Sequence, residues 1–145
     1  MPEIIESLIS EHGVFEQVFD QMERLLPKVK TPAEVKLLAA IVEGLLAKHG
    51  ETEKNLAYAA LDHILEEDGR LNRLHQDHRE IDQHFNRVHL ADSLPEAQSL
   101  LLKALMATRE HFRREEEVIF PFMQSVLQPQ TLQALGAART QSLAT

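Results

Sequence analysis

Apolar residues recur at steps of three and four along most of the chain, which is the spacing of one face of an α-helix. No segment alternates Val, Ile and Thr with polar residues as a strand would. The pattern predicts four long helices and a short tail helix, over about residues 3–26, 32–66, 70–90, 94–127 and 130–138. Because short connections favour antiparallel neighbours, we expect an all-α protein, an up-down-up-down antiparallel four-helix bundle with a short C-terminal tail helix.

Two helix starts carry the same capping pattern. Thr31 is followed by Pro32 and Glu34, so it can cap the second helix with a proline in the first turn. The segment Ser93–Glu96 repeats this order at the start of the fourth helix. The predicted seams include Leu45 and Leu56 on the second helix and Val118 on the fourth.

Length and composition narrow the class of protein. A chain of 145 residues suits one domain, which we divide into a bundle over residues 1–127 and a tail over 128–145. A net charge of −8 argues against a nucleic-acid partner, and no apolar run is long enough for a membrane span. The absence of cysteine excludes disulfides and Cys-bound metals. Without cysteine or a visible targeting signal, we expect a cytoplasmic location.

Each of the four seams contains one histidine near its middle, namely His12, His49, His78 and His111. An unpartnered imidazole in an apolar core costs about 1–3 kcal/mol, so a seam normally excludes it. A neighbouring carbonyl or water could satisfy one such residue, but four of them point to a shared function. Counting outward from each interhelical turn places the two histidines of a hairpin at the same level along the bundle.

Two of these histidines have a carboxylate four residues later, in the pairs His49–Glu53 and His111–Glu115. At this spacing both side chains project from one face of the helix. The pair can then bind one metal ion, or the carboxylate can bridge two. Imidazole and carboxylate ligands suit Fe, Mn or Zn and disfavour Cu(I).

The chain also contains an internal repeat. The segment Glu11–Gln17 parallels Asp77–Gln83, and His49–Tyr58 parallels His111–Phe120, with an aromatic residue nine positions after each histidine. The two hairpins therefore look like related halves around a common site. A two-metal, carboxylate-bridged centre suits this symmetry.

This histidine and glutamate pattern resembles the hemerythrin-like, HHE cation-binding family. The run HFRREEEVIFP at residues 111–121 is similar to that family's last-helix signature, and the resemblance covers residues 3–127. It implies a bundle with two non-heme, carboxylate-bridged iron ions and O2 or another small oxidant as the partner. The implied metal ligands are His12, His49, His78 and His111 at terminal positions and Glu53 and Glu115 as bridges.

One departure from hemerythrin proper concerns a fifth histidine on the third helix. Leu74 and Asp82 occupy the positions four residues from His78, and the nearest candidate is His75. Asp82, like Glu16 on the first helix, is a possible ligand, a partner of a ligand or a solvated side chain. Tyr58 belongs to the core or points its hydroxyl at the site. Three further histidines suit the surface or a bundle end, namely His63, His84 and His89.

Several functions agree with these residues. The first is a non-heme di-iron protein that binds, senses or reacts with O2, peroxide or NO. The second is a redox enzyme with the same centre, such as a peroxide-dismuting or NO-reactive enzyme. The third is an iron store, metal buffer or detoxification protein, and the fourth is a metal-free interaction bundle. Whether the protein is an enzyme stays open at this point.

Overall fold

The computed structural model describes residues 3–61 and 70–144, and these residues are almost entirely helical, without a strand. The α-helices are α1 (Ile4–Leu25), α2 (Pro32–Thr52), α3 (Arg70–His89), α4 (Leu94–Arg114), α5 (Phe120–Val126) and α6 (Pro129–Ala144). A 3-10 turn, Leu26–Lys28, follows α1, and two π-helical segments follow α2 and α4. The predicted all-α class is confirmed. The predicted end of the second helix, the following turn and His63 lie outside the described residues.

The predicted caps begin their helices. The Thr31 hydroxyl accepts a hydrogen bond from the Glu34 amide and donates one to the Glu34 carboxylate, at 3.2 and 2.9 Å. Ser93 likewise accepts from the amide of Glu96, at 3.3 Å. These contacts satisfy amides that have no partner within the first turn of a helix.

The two π-helical segments, Glu53–Tyr58 and Glu115–Ile119, each begin at one of the predicted metal-binding glutamates. A π-helical turn holds an extra residue, so it rotates everything after it relative to an α-helix. The prediction that Val118 lies in the core is wrong, because it assumes that the α-helical seam continues through this turn. Val118 is 49% exposed, while the next residue, Ile119, is 2% exposed.

The second helix has a further difference from its predicted seam. Leu45 is 49% exposed, although the sequence analysis placed it in the core. The helix instead buries Val35, Ala39 and Val42, with Leu46 packed against the same cluster. Leu45 therefore lies at the solvent-exposed edge of the core-facing stripe.

The apolar core has two clusters with a polar layer between them. The first cluster joins the middle of α1 to α2, α3 and α4 around Phe19 and Phe85. The second joins the start of α1 to α5 and α6 around Leu8 and Phe120. The predicted site residues lie along the chain between the members of these clusters. The core thus encloses the site from both ends of the bundle.

The C-terminal tail forms a helix that is longer than predicted, since α6 spans residues 129–144. It packs against α1 and against the segment Glu53–Tyr58. Arg139 of α6 is 1% exposed and forms an ion pair with Glu11 of α1. The boundary between residues 127 and 128 stays a prediction. Among the described helices, none is long and apolar enough to cross a membrane.

Candidate metal centre

The four seam histidines meet in pairs at the centre of the bundle. The ring centroids of His12 and His49 are 5.1 Å apart, and those of His78 and His111 are 4.5 Å apart. The Nε2 atoms of His78 and His111 approach to 2.8 Å. Two imidazoles that bind one ion at bonds of about 2.0–2.1 Å place their nitrogens at about this separation.

Glu53 lies between the two pairs. Its Oε2 atom is 3.1 Å from Nε2 of His49 and 3.9 Å from Nε2 of His12. Its other oxygen, Oε1, is 3.8 Å from Nε2 of His78. The carboxylate therefore contacts histidines of both hairpins, with no exposure to solvent.

Glu115 has the corresponding position on the opposite hairpin. Its Oε1 atom is 3.4 Å from Nε2 of His12 and 3.3 Å from Nε2 of His111. Like Glu53, Glu115 is fully buried. Both carboxylates thus join the two pairs of imidazoles, which is the placement that a bridging ligand requires.

Tyr58 completes the buried cluster. Its hydroxyl donates a hydrogen bond to Glu53 at 2.6 Å and lies in hydrogen-bond contact with Glu115. In a regular α-helix, the position nine residues after His49 points about 180° away from it. The π-helical segment reduces this difference in phase, and the Tyr58 hydroxyl reaches the same site. Phe120, nine residues after His111, stacks on His12 at 5.7 Å.

The two carboxylates share a buried environment, and their pKa values are shifted in opposite directions. Burial and the neighbouring charge of Glu53 raise the pKa of Glu115 well above its usual value. Burial also acts to raise the pKa of Glu53, but its contacts with Glu115, His12 and His49 lower it well below normal. Burial and both carboxylates raise the pKa of Tyr58, so its phenol stays protonated. A cation would let both carboxylates ionise together.

The histidines of the second pair favour their neutral form. Burial lowers the pKa of His111 to about 4, against the raising effect of Glu53. Burial also lowers the pKa of His78. Neutral imidazole is the form that binds metal ions.

The unpartnered atoms of this cluster test whether a metal fits. Several buried atoms have no hydrogen-bond partner within the described chain: both ring nitrogens of His12, Nε2 of His49, Oε2 of Glu53 and Oε1 of Glu115. Their side chains form a group whose ligand atoms all lie within 4.8 Å of one another, His12, His49, Glu53 and Glu115. Glu53 belongs also to a second such group, with His78 and His111. The donor types and the unused lone pairs fit metal ions.

The comparison with protein families agrees with this geometry. A family model described as the hemerythrin HHE cation binding domain matches residues 3–123, which is most of the chain. The chain belongs to the hemerythrin family. No curated protein and no solved structure gives a significant match. As a hemerythrin HHE domain binds cations, the buried histidines and glutamates are the part of this chain that suits a metal.

In this hemerythrin domain, two acidic residues orient histidines of the candidate site, and neither acid was predicted to belong to it. Glu11 accepts a hydrogen bond from Nδ1 of His49 at 3.1 Å. Asp77, which is 2% exposed, accepts one from Nδ1 of His111 at 3.3 Å. Such a bond leaves Nε2 free to face a metal. The internal repeat could have indicated these two acids, because each one directly precedes the histidine of its own helix.

Each of these acids is held by an arginine. Arg114 donates two hydrogen bonds to Asp77, both at 3.0 Å. Arg139 of α6 pairs with Glu11. The arginines neutralise the acids and limit their movement, so the histidines are fixed by partners on other helices.

The remaining candidates have other partners. Glu16 pairs with Arg109 and so contributes to a link between α1 and α4. His89 contacts Glu43 at 2.7 Å. His75 lies outside both ligand groups, with its ring 6.1 Å from that of Tyr58. Asp82 is exposed and lies at the edge of a cavity.

This cavity, of about 240 Å³, lies beside the second histidine pair and reaches the surface between α2 and α3. His49, His78 and His111 line its inner end, and the apolar wall includes Phe85 and Phe112. The space is larger than a diatomic molecule or a peroxide needs. A small molecule could therefore approach the histidines from this side.

Proposed function

We propose that this protein is a non-heme di-iron protein that reacts with O2, peroxide or NO. The observation that carries this proposal is the contact of both Glu53 and Glu115 with imidazoles of the two hairpins. The proposed terminal ligands are His12, His49, His78 and His111, and the proposed bridges are Glu53 and Glu115. Two groups of ligand atoms that share Glu53 support two ions per chain.

We also propose that the four long helices run up, down, up and down. Contacts between α1 and α4 support this order: Gln98 bonds the carbonyl of Leu26, whereas Arg109 contacts Glu16. A later position in α4 therefore meets an earlier one in α1. The short connection 90–93 between α3 and α4 agrees with antiparallel packing of these two helices.

Iron bound at this site would supply a redox centre that small oxidants can bind. The chain's own residues would hold and isolate it. The two carboxylates would provide negative charge. The Glu11–His49 and Asp77–His111 hydrogen bonds would keep the imidazoles oriented. The Tyr58 hydroxyl would donate a hydrogen bond to Glu53. The cavity beside His78 offers an entry route, and its apolar wall favours uncharged molecules.

Metal quantitation and optical spectroscopy test the centre itself. We expect about two iron ions per chain after expression with iron, and near-ultraviolet and visible absorption of the aerobically purified protein. One ion per chain at saturation would contradict the shared site. A colourless protein filled with zinc under the same conditions would contradict the choice of iron.

Reactivity is tested after anaerobic reduction. We expect the reduced protein to be oxidised by O2, peroxide or NO within a single mixing experiment, followed by its spectrum. A stable oxygenated form that releases O2 over several cycles would indicate an oxygen carrier instead. Slow exchange of iron without a reaction with any of the oxidants would favour the iron store or metal buffer. A cytoplasmic location and the absence of a nucleic-acid or membrane partner stay predictions.

A further inference from the structure

Helix α2 has an exposed apolar stripe beside the face that packs into the core. Leu37 is 61% exposed, and Ile41 and Leu45 are each 49% exposed. Their spacing of four residues places them along one side of the helix. The adjoining face of α2 packs into the core through Val35 and Val42, so the apolar surface of this helix extends beyond the face that the bundle buries.

A groove between α1 and α2 lies beside the stripe. Val14, Val18 and Leu25 of α1 line this groove together with Leu38 of α2. Val14 is 60% exposed and Leu25 is 49% exposed. Exposed polar side chains of α1, among them Gln17, Asp20 and Arg24, also line the groove. The apolar stripe on α2 is thus flanked by a mixed surface, like the polar rim around the apolar centre of a protein interface.

Charged residues at the two ends of the stripe indicate which kind of partner could bind it. Glu34 lies seven residues before Ile41, and Lys48 lies seven residues after it, and both are exposed. Two copies of α2 packed antiparallel about Ile41 would place Leu37 opposite Leu45 of the other copy. Glu34 of each copy would then meet Lys48 of the other. A two-fold axis produces each of these contacts twice.

We propose that this surface is a homodimer interface, formed by two antiparallel copies of α2 with Ile41 on the two-fold axis. Gly44 lies beside Ile41 on the outer side, and a Cβ atom there would meet nothing within 4 Å. This space lets a second helix approach closely. The interface uses no residue of the metal centre, so the proposal is independent of the proposed function.

Solution mass is the first test, measured by light scattering after size-exclusion chromatography. The wild-type protein should have twice the 16.5 kDa mass of the chain. Ile41→Glu places two carboxylates together on the axis, so we expect dimerisation to weaken at least about 100-fold. Met106→Glu is the matched control, because Met106 is 65% exposed on α4. A monomeric wild type, or a dimer that only Met106→Glu disrupts, would overturn the proposal.

Charge exchange tests the antiparallel register. Glu34→Lys alone, or Lys48→Glu alone, juxtaposes like charges and should weaken the dimer about tenfold. The double variant restores opposite charges at both positions and should recover most of the affinity. A double variant no tighter than the single variants would rule out this register. Circular dichroism of each variant checks that the helices persist.

Disulfide trapping provides a second, geometric test, since the natural chain has no cysteine. Ile41→Cys should form a disulfide-linked dimer under mild oxidation, because the two residues face each other across the axis. Leu37→Cys alone should not, since its two copies lie about 12 Å apart along the helices. An equal mixture of Leu37→Cys and Leu45→Cys proteins should link. Linking by Leu37→Cys alone would instead indicate another register.

Discussion

Glu11 accepts a hydrogen bond from His49 on the neighbouring helix, at 3.1 Å, while the next residue in its own helix, His12, faces the same site. Asp77 has the same relationship to His111 and directly precedes His78. In each hairpin, one helix thus contributes two consecutive residues to the site. The first is an acid that orients the histidine of the partner helix, and the second is a histidine that itself faces the site. The internal repeat in the sequence corresponds to this repeated contact.

Loss of either orienting acid should weaken metal binding more than loss of an acid that contacts no histidine. Glu11→Gln and Asp77→Asn remove a charged acceptor and leave the side-chain volume unchanged, so the histidines lose their fixed orientation. We expect metal affinity to fall about 10–100-fold in competition with a chelator. The control is Glu16→Gln, since Glu16 lies on the same helix as Glu11 but contacts Arg109. Equal effects of Glu11→Gln and Glu16→Gln would contradict the orienting role.

Replacement of a proposed bridging glutamate should lower the metal content more than replacement of a histidine outside the site. Glu53→Ala removes a carboxylate that contacts histidines of both hairpins, so both ions lose a ligand. We expect this variant to retain less than half of the wild-type metal, measured by elemental analysis. His89→Ala is the comparison, because His89 contacts Glu43 away from the site. Full metal content in Glu53→Ala would show that this residue is not a ligand.

The Tyr58 hydroxyl should stabilise the metal-free protein. Tyr58→Phe removes the donor to Glu53 and the hydroxyl contact with Glu115, so a buried acceptor loses its partner. An unsatisfied buried group costs about 1–3 kcal/mol, so the free energy of unfolding should fall by about this amount in urea titrations of the metal-free form. Metal should reduce the difference, because it occupies the carboxylates. An unchanged stability of metal-free Tyr58→Phe would contradict this role for the phenol.

Metal removal should lower the melting temperature. A ligand that binds only the native state stabilises it, by about 2.7 kcal/mol at a free concentration 100 times its dissociation constant. For a chain of this size we expect a fall of at least about 5 °C in calorimetry after chelation, and recovery when the metal is restored. The variant Glu53→Ala should show a much smaller change under the same treatment. Equal melting temperatures of the metal-loaded and chelated wild type would show that metal binding does not stabilise the native state.

The apolar spacing and the positions of the histidines were sufficient to predict the helical class and the candidate ligands. Within one helix, spacing alone determines which side chains share a face, so His49 and Glu53 could be paired from the sequence. Capping residues such as Thr31 likewise act within a few positions of the chain, and the structure agrees with them. The family match over residues 3–123 supports the same overall interpretation.

Only the tertiary structure shows where the helices change phase. The π-helical segments at Glu53 and Glu115 rotate the following residues, so Ile119 is buried instead of Val118, and Tyr58 reaches the carboxylates. Local propensity does not indicate these turns, because a π-helical turn is stabilised by the contacts that it permits elsewhere.

Contacts between distant segments were also decided only by the tertiary structure. The pairing of Glu11 with His49 and Arg139, and of Asp77 with His111, depends on how far each helix is rotated and shifted against its neighbours. Periodicity assigns a residue to a helix face, but it does not specify which helix that face meets or at what level. The sequence by itself therefore determined the helices and the histidines and glutamates they carry, while packing between helices decided the partners that hold them.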